Sequence, residues 1–335
     1  MNRLAPAILL CLAALAASVP ATAQTPELVV YTYDSFVTEY GPGPKIEEAF
    51  EARCGCELTI TAAGDGAALL SRVRLEGARS DADVVLGLDT NQMAAAKETG
   101  LFAAHGLETP PLDVPDGWAD DVFLPYDWGH FAFVYDETRL AEPPASFEAL
   151  AEAPADVTIV IQDPRTSTPG LGLLLWVKQV YGEDAAAYWE KLRPRVVTVT
   201  KGWWEAYSAF LDGEAMMALS YTTSPAYHAI AEGDETKKAA PFEKGHYMQV
   251  EVAGILASTD QPDLARDFLA FMLSPEFQSV IPTTNWMYPA VTPPEGLPEG
   301  FDGLVEPVRS LLYAPEEAVA AREAALAEWL DVMSR

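Results

Sequence analysis

The chain has 335 residues, and its 50 aspartates and glutamates outnumber 21 lysines and arginines, which gives a formal net charge of −29. Such acidity argues against nucleic acid and anionic membrane surfaces as partners, because both are negatively charged themselves. The length exceeds what one hydrophobic core usually organises, so we expect two lobes.

The amino terminus has the pattern of a secretory signal peptide. Met1–Arg3 is a short basic segment, an apolar run follows from Leu4 to Val19, and Ala21–Ala23 has the form of a cleavage site. We therefore expect residues 1–23 to be removed and the mature chain to lie in the periplasm. No later stretch stays apolar for about 18 residues, so we expect a soluble protein without direct membrane insertion.

Strand-like and helix-like segments alternate through the first part of the chain, which is typical of α/β folds. In chain order they are strand Leu28–Tyr33, helix Pro44–Arg53, strand Glu57–Thr61, helix Leu69–Glu76, strand Asp83–Leu88 and a helix starting within Gln92–Lys97.

The alternation resumes after Ser146 and predicts a second lobe of the same kind. Its segments are a helix from Phe147, strand Val157–Gln162, a helix from Pro169, strand Val196–Val199, helix Trp204–Asp212, strand Met216–Ser220 and a helix from Pro225. Three further helices are predicted at Pro262–Leu273, Pro275–Val280 and Pro315–Met333.

Two apolar strands, Phe131–Tyr135 and Tyr247–Leu256, are placed where the chain can leave and re-enter the first lobe. We expect them to join the lobes as hinge strands, since no flexible linker is present. The predicted first lobe is 24–127 with about 255–285, and the predicted second lobe is 128–254 with about 286–335.

Two cysteines, Cys54 and Cys56, remain after signal-peptide removal. A pair in this spacing supplies only two of the four ligands of a structural zinc site, and no histidine lies near it in sequence. A disulfide is the favoured interpretation in an oxidising compartment, and a reactive thiol is the alternative.

The segment Gln162–Gly170 follows a predicted strand and opens a helix. Pro169 suits the first helical turn, and Ser167 or Thr168 suits the cap position. Free backbone amides and hydroxyls at a helix start are suited to binding an anion, although a plain helix cap explains the same pattern.

A second segment, Tyr221–Tyr227, repeats this arrangement with three hydroxyl residues before Pro225. Two such strand ends in one lobe can converge on a phosphate or a carboxylate. Arg165 and Lys201 are candidates for additional charge-assisted contacts with that anion.

Asp65 and Gly66 lie in a turn before a predicted helix of the first lobe. The aspartate either caps that helix or faces a cationic ligand across the cleft between the lobes.

Aromatic residues concentrate at predicted strand ends and in loops, where ligands are usually met. Any single ring is more often part of a core, but the set favours a cleft for a flat or cationic organic ligand. The rings are Tyr31, Tyr33, Phe36, Tyr40, Trp203, Trp204, Tyr221, Tyr227, Trp286 and Tyr288.

The four histidines are scattered and match no motif for metal hydrolysis or for an activated nucleophile. The sequence therefore predicts a binding protein, with neither catalytic residues nor a resident metal or cofactor.

Several long segments together resemble the periplasmic thiamine-binding proteins of bacterial thiamine ABC importers. The similarity runs over nearly the whole mature chain. It is carried by Val30–Phe36, Gly41–Pro44, Ala82–Asp89, Gln162–Leu175, Val197–Trp203, Leu219–His228 and Asn285–Pro289.

This resemblance implies a type II periplasmic binding fold, an α/β protein of two lobes joined by hinge strands with the ligand cleft between them. It implies capture of thiamine, thiamine monophosphate or thiamine diphosphate for an ABC importer permease in the inner membrane. Tyr40 departs from the family, which has a tryptophan there. The ligand-binding residues implied are Asp65, Gly66, Ser167, Thr168, Trp203, Tyr221, Thr222, Thr223, Ser224, Tyr33, Tyr227 and Trp286.

Two other functions stay open at this point. A thiamine-degrading enzyme similar to thiaminase I would need a catalytic cysteine, for which only Cys54 and Cys56 are available. A ferric-binding protein would take Tyr221, Tyr227 and His228 as iron ligands.

Overall fold

The structure is a computed structural model that describes residues 25–335, so the predicted signal peptide lies outside the described residues. Within that range, none of the helices combines the length and the apolar character that a bilayer crossing requires. The strands are β1 (Glu27–Thr32), β2 (Glu57–Ala62), β3 (Val84–Asp89), β4 (Phe102–Ala103), β5 (Phe123–Asp136), β6 (Ile159–Gln162), β7 (Val196–Thr200), β8 (Met217–Tyr221), β9 (Lys237–Ala239), β10 (His246–Leu256), β11 (Tyr288–Pro289) and β12 (Ser310–Leu311).

Helices cover the sheet and connect its strands, as the predicted alternation requires. The α-helices are α1 (Gly43–Cys54), α2 (Gly66–Glu76), α3 (Thr90–Lys97), α4 (Phe147–Glu152), α5 (Thr168–Tyr181), α6 (Ala185–Leu192), α7 (Trp203–Leu211), α8 (Ser224–Tyr227), α9 (Pro262–Met272), α10 (Pro275–Gln278), α11 (Ile281–Thr284) and α12 (Pro315–Met333). Short 3-10 turns occur at Asp34–Val37, Gly77–Arg79, Gly182–Asp184, Arg193–Arg195 and Glu299–Phe301, and a π-helical turn at His228–Glu232.

One mixed sheet runs through the molecule in the order β2-β1-β3-β10-β5-β8-β6-β7. The strands β1, β2 and β3 are parallel and form the sheet of the first lobe, whereas β6, β7 and β8 are parallel and form that of the second. The antiparallel strands β5 and β10 lie between the lobes and pair with each other. The predicted crossing strands are therefore confirmed.

The crossing strand β5 begins at Phe123, and not at Phe131 as the sequence predicts. Its first half contains Pro125, Asp127 and Gly129, which interrupt the apolar pattern and normally disfavour a strand. Pairing with β10 over this half overrides that local preference.

Each lobe has its own aromatic core. In the first lobe the ring of Phe50 meets Phe268 edge to face, with centroids 5.1 Å apart. In the second lobe Phe147 packs on Trp176 with centroids 4.7 Å apart. Contacts of this kind stabilise each lobe beyond the burial of its large apolar side chains.

The carboxy-terminal helix α12 has the bounds that the sequence predicts. It packs against α3 of the first lobe and against α5 and α6 of the second, so it spans the hinge. The lobe boundaries given above stay a prediction, since this helix contacts both lobes.

Three local features differ from the predicted elements or settle an open choice. Gly182, with φ of 56°, ends α5 and separates it from α6, which the sequence pattern did not predict. The helix predicted from Pro225 is a single turn that continues as the π-helical turn. Cys54 and Cys56 form a disulfide at the end of α1, with their Cα atoms 5.2 Å apart.

We expect the change Gly172→Ala to destabilise the second lobe. A Cβ atom at this position of α5 would lie 2.0 Å from Cε2 of Phe131 on β5. Overpacking of this kind lowers the free energy of unfolding by about 1–3 kcal/mol, and urea unfolding measures it.

Helix propensity alone gives the opposite sign, since alanine favours a helix over glycine by about 1 kcal/mol. A Gly172→Ala variant more stable than the natural chain would contradict the packing account. Combining it with Phe131→Leu should relieve the clash, so the two changes should be less than additive.

Candidate ligand-binding cleft

The cleft lies where the carboxyl ends of the parallel strands in the two lobes face each other, which is the usual ligand position in open α/β sheets. Asp65, after β2, caps α2 by accepting a hydrogen bond of 2.7 Å from the amide of Gly66. It also accepts one of 3.1 Å from the amide of Trp203 in the second lobe. The amide of Ala68 donates across the cleft to the carbonyl of Thr166 at 3.0 Å. Asp65 is therefore both a helix cap and a link between the lobes.

Gly66 allows this close approach of the lobes. A Cβ atom there would lie 2.0 Å from Oγ1 of Thr168, so a larger residue would push α2 away from α5. Burial raises the pKa of Asp65 above its ordinary value, although the nearby hydroxyl of Ser167 and the amides of Gly66 and Trp203 offset part of this rise.

Three of the predicted hydroxyls are buried and unpaired. Within residues 25–335, the side-chain oxygens of Thr168 and Thr222 have no hydrogen-bond partner, and that of Ser167 makes no hydrogen bond of good geometry, although it lies close enough to the Asp65 carboxylate to lower its pKa. Ser167 occupies the cap position of α5 without using its side chain for the cap. An unpaired buried hydroxyl is unfavourable, so these three groups are available to a polar ligand.

The other two predicted hydroxyls have partners inside the protein. Ser224 Oγ lies 2.7 Å from Ser220 Oγ and accepts from the amide of Tyr221 at 3.1 Å. Ser220 in turn accepts from the indole nitrogen of Trp203 at 2.8 Å. Thr223 Oγ1 lies 3.8 Å from the sulfur of Met287. Ser224 thus fixes the end of β8 and, through Ser220, the orientation of Trp203.

The two basic residues predicted to assist anion binding are both exposed, but they make different contacts. Arg165 is exposed and pairs with Asp163 at 2.5 Å. The side chain of Lys201 is exposed, and its carbonyl accepts from Thr166 Oγ1 at 2.6 Å.

Two of the predicted tyrosines direct their hydroxyls at the hinge strand β10. Tyr33 OH lies 3.1 Å from Oε2 of Glu251 and 3.0 Å from Oδ1 of Asn285. Tyr221 OH donates to Oε1 of Gln249 at 3.0 Å. Burial raises the pKa of Tyr33 and of Tyr221, so both hydroxyls stay protonated.

The remaining predicted rings form two groups. Tyr227 and Trp286 meet edge to face with centroids 5.2 Å apart. Trp203 stacks on Tyr207 at 5.0 Å. Trp286 has φ of 58°, a left-handed backbone that is rare for a bulky residue and is typical of functional positions. Tyr40 is 79% exposed and contributes no wall to the cleft in this structure.

The sequence did not predict the acidic residues of the hinge. Asp89, Glu251 and Asp127 are directly opposed on β3, β10 and β5, so they form one row across three strands. Nδ2 of Asn285 donates to Asp127 Oδ2 at 2.6 Å and lies 3.2 Å from Glu251 Oε2. A charged residue inside an otherwise apolar strand was the signal that could have identified them.

Burial dominates the titration of this row. It raises the pKa of Asp127, and repulsion from Glu251 adds to the rise. Burial likewise raises the pKa of Glu251, while hydrogen bonds offset part of that increase. Burial also raises the pKa of Asp89 to about 7.

Neither alternative function finds its residues assembled. Cys54 and Cys56 are joined to each other, so they supply no free thiolate for a thiaminase-like reaction. Tyr227 OH donates to Glu232 at 3.0 Å, and Nδ1 of His228 lies 2.7 Å from the same carboxylate. Tyr221 binds Gln249 instead, so the three proposed iron ligands do not share one point.

Comparison with known proteins agrees with this architecture. The bacterial extracellular solute-binding protein family matches residues 36–279. The thiamine-binding periplasmic protein of Escherichia coli (strain K12) is 51% identical over 335 residues, which is 100% of both chains. That of Brucella melitensis biotype 1 is 50% identical over 316 residues, covering 94% of this chain and 95% of the relative.

A solved structure of a periplasmic thiamin binding protein is also similar, with 52% identity and a TM-score of 0.91, over 94% of this chain and 98% of that chain. The predicted type II fold is thereby confirmed, and the fold and cleft define a two-lobed extracellular solute-binding protein. Within that class, the chain belongs to the family of the thiamine-binding periplasmic proteins. The predicted periplasmic localisation is confirmed by the same relatives.

We expect Asp65→Ala to loosen the contact between the lobes. The change removes the acceptor for the Gly66 and Trp203 amides, and loss of a helix cap lowers the free energy of unfolding by about 1 kcal/mol. The radius of gyration, measured by small-angle X-ray scattering, should increase.

Ser146→Ala is the matched control, because Ser146 caps α4 by accepting from the amide of Ala149 at 3.0 Å within the second lobe. It should lower stability to a similar extent without changing the radius of gyration. An unchanged radius in Asp65→Ala would show that this residue acts only as a cap.

Proposed function

We propose that this protein captures thiamine in the cleft between its lobes and delivers it to an ABC importer permease of the inner membrane. The observation that carries the proposal is the meeting of aromatic rings from both lobes with unpaired buried hydroxyls of the second lobe. These groups occur in a chain that is 51% identical to a thiamine-binding relative over its full length.

The aromatic groups suit the two rings of thiamine. Tyr33, Trp203 and Tyr221 lie beside the hinge, and Tyr227 with Trp286 forms a second aromatic group. Thiamine combines a flat aminopyrimidine with a thiazolium ring that carries a fixed positive charge. Stacking on an aromatic face stabilises a desolvated delocalised cation by about 2 kcal/mol.

The hydroxyl groups suit the oxygen-bearing end of the ligand. Ser167 and Thr168 stand at the start of α5, a helix of 14 residues whose amino end favours a negative group. Thr222 lies at the end of the neighbouring strand β8 and is likewise unpaired among the described residues. We propose that these residues bind the hydroxyl of thiamine or the phosphate of thiamine monophosphate and diphosphate.

Delivery requires two states of the lobes. Asp65 and Gly66 join the first lobe to Trp203 and Thr168 in the arrangement described here. We propose that ligand binding stabilises this arrangement and that the permease recognises it. The relatives named above are binding proteins, and the proposed function breaks no bond in the ligand.

Titration with thiamine, followed by tryptophan emission, tests the proposal. Saturable quenching is expected from the natural chain, and Trp203→Ala should weaken binding of all three thiamine forms about tenfold by removing ring contact. Trp204→Ala is the matched control, because this neighbouring indole is 62% exposed. No response to any thiamine form would refute the proposed function.

Ser167→Ala tests the phosphate end separately. A hydrogen bond to a charged group contributes about 1.5–3 kcal/mol. The variant should therefore bind the two phosphorylated forms at least tenfold more weakly and thiamine less so, as measured by calorimetry. Equal losses for all three forms would place the phosphate elsewhere.

A further inference from the structure

Among residues 25–335, the buried carboxyl groups of the hinge outnumber the cations beside them. Asp127 and Glu251 are buried and directly opposed on β5 and β10. Glu251 is also opposed to Asp89 on β3. Cross-strand neighbours share one face of a sheet, so the three carboxyl groups lie side by side.

Within residues 25–335, the guanidinium of Arg322 on α12 acts on Asp89 of this row. None of the ion pairs in that range includes Asp127 or Glu251. Their partners are neutral, namely the amide of Asn285 and, for Glu251, the hydroxyl of Tyr33. Asp127 Oδ1 is buried and has no partner among the described residues.

Two adjacent carboxyl groups in a buried site cannot both ionise without a countercharge. Such a pair titrates as one unit, and burial and repulsion raise the pKa at which it loses a shared proton. Asn285 is a neutral amide and cannot supply the missing charge, although it holds the two side chains together.

We propose that the Asp127–Glu251 pair is the cation-selecting element of the cleft, and that it releases its shared proton to solvent when an organic cation binds. This inference rests on the proposed function and names residues that select its substrate by charge. The pair lies on the face of the hinge strands that carries the cleft tyrosines, because Tyr33 lies against Glu251 and the next residue along that face of β10, Gln249, binds Tyr221. The rings of Tyr33 and Tyr221 and the carboxyl pair would then contact the same bound cation.

Of the titratable groups around the pair, the tyrosines do not release a proton near neutral pH, whereas Asp89, whose pKa burial raises to about 7, can do so. Tyr33, Tyr126 and Tyr221 surround it, and burial raises the pKa of each. On the flanking elements, Asp89 faces Glu251 and is itself faced by Arg322, while Asp65 acts on Tyr221.

The pH dependence of thiamine affinity follows from the direction in which the pKa of the pair changes. Burial and mutual repulsion raise the pKa of the pair in the free protein, and a bound cation must lower it. Between these two values, ligand binding releases a proton, so thiamine affinity rises with pH.

Calorimetry of the natural chain tests the proton release directly. Thiamine is titrated at one pH in two buffers that differ in ionisation enthalpy, and the difference in observed heat gives the protons exchanged. We expect release of a substantial fraction of one proton for each thiamine bound. Thiamine binding without proton release would overturn the inference and leave the proposed function intact.

A variant tests whether the Asp127–Glu251 pair is the source of the preference for a cationic ligand. The natural chain should prefer thiamine to an analogue in which an uncharged ring replaces the thiazolium, and Glu251→Gln should reduce this preference at least tenfold and abolish the proton release. Glu148→Gln, which alters an acid of the second lobe that pairs with Lys244 at the surface, is the control and should change neither.

The outcomes separate the two proposals. A natural chain that binds no thiamine refutes the proposed function. A natural chain that binds thiamine and the uncharged analogue equally well refutes only the cation-selecting role. An unaltered preference in correctly folded Glu251→Gln, judged by circular dichroism, would also refute that role.

Discussion

The antiparallel pairing of β5 with β10 is the interaction on which the lobes and the cleft depend. These strands place a parallel sheet on either side of themselves, so the carboxyl ends of β1, β2 and β3 face those of β6, β7 and β8. Backbone hydrogen bonds fix the register between them. Because the register is fixed, side chains from distant segments, such as Tyr33 and Asn285, meet at Glu251.

The same strand pairing brings buried carboxyl groups together, which lowers the stability of the fold. Buried carboxyl groups without a countercharge are costly, and a core of the same volume made of apolar residues would be more stable. Sequences usually break such a rule only at functional sites. The conflict is resolved if a cationic ligand supplies the missing charge, which links the architecture of the hinge to the choice of ligand.

The polar residues at the strand ends could be predicted from the sequence, but the hydrogen-bond partners of their side chains could not. Hydroxyls next to Pro169 and Pro225 located two helix starts, because proline and capping residues act locally. The division of labour between Ser167, which is unpaired among the described residues, and Ser224, which fixes Trp203 through Ser220, depends on tertiary contacts. Asp127 was missed for the same reason, since its strand forms only by pairing with β10.

A crystal structure of the protein with thiamine would show directly which groups hold the cation. We expect one thiamine between the lobes, with its thiazolium ring beside Asp127 and Glu251 and its hydroxyl end toward Ser167 and Thr168. Thiamine bound outside the interlobe cleft, or with its charged ring remote from both hinge carboxyl groups, would contradict it.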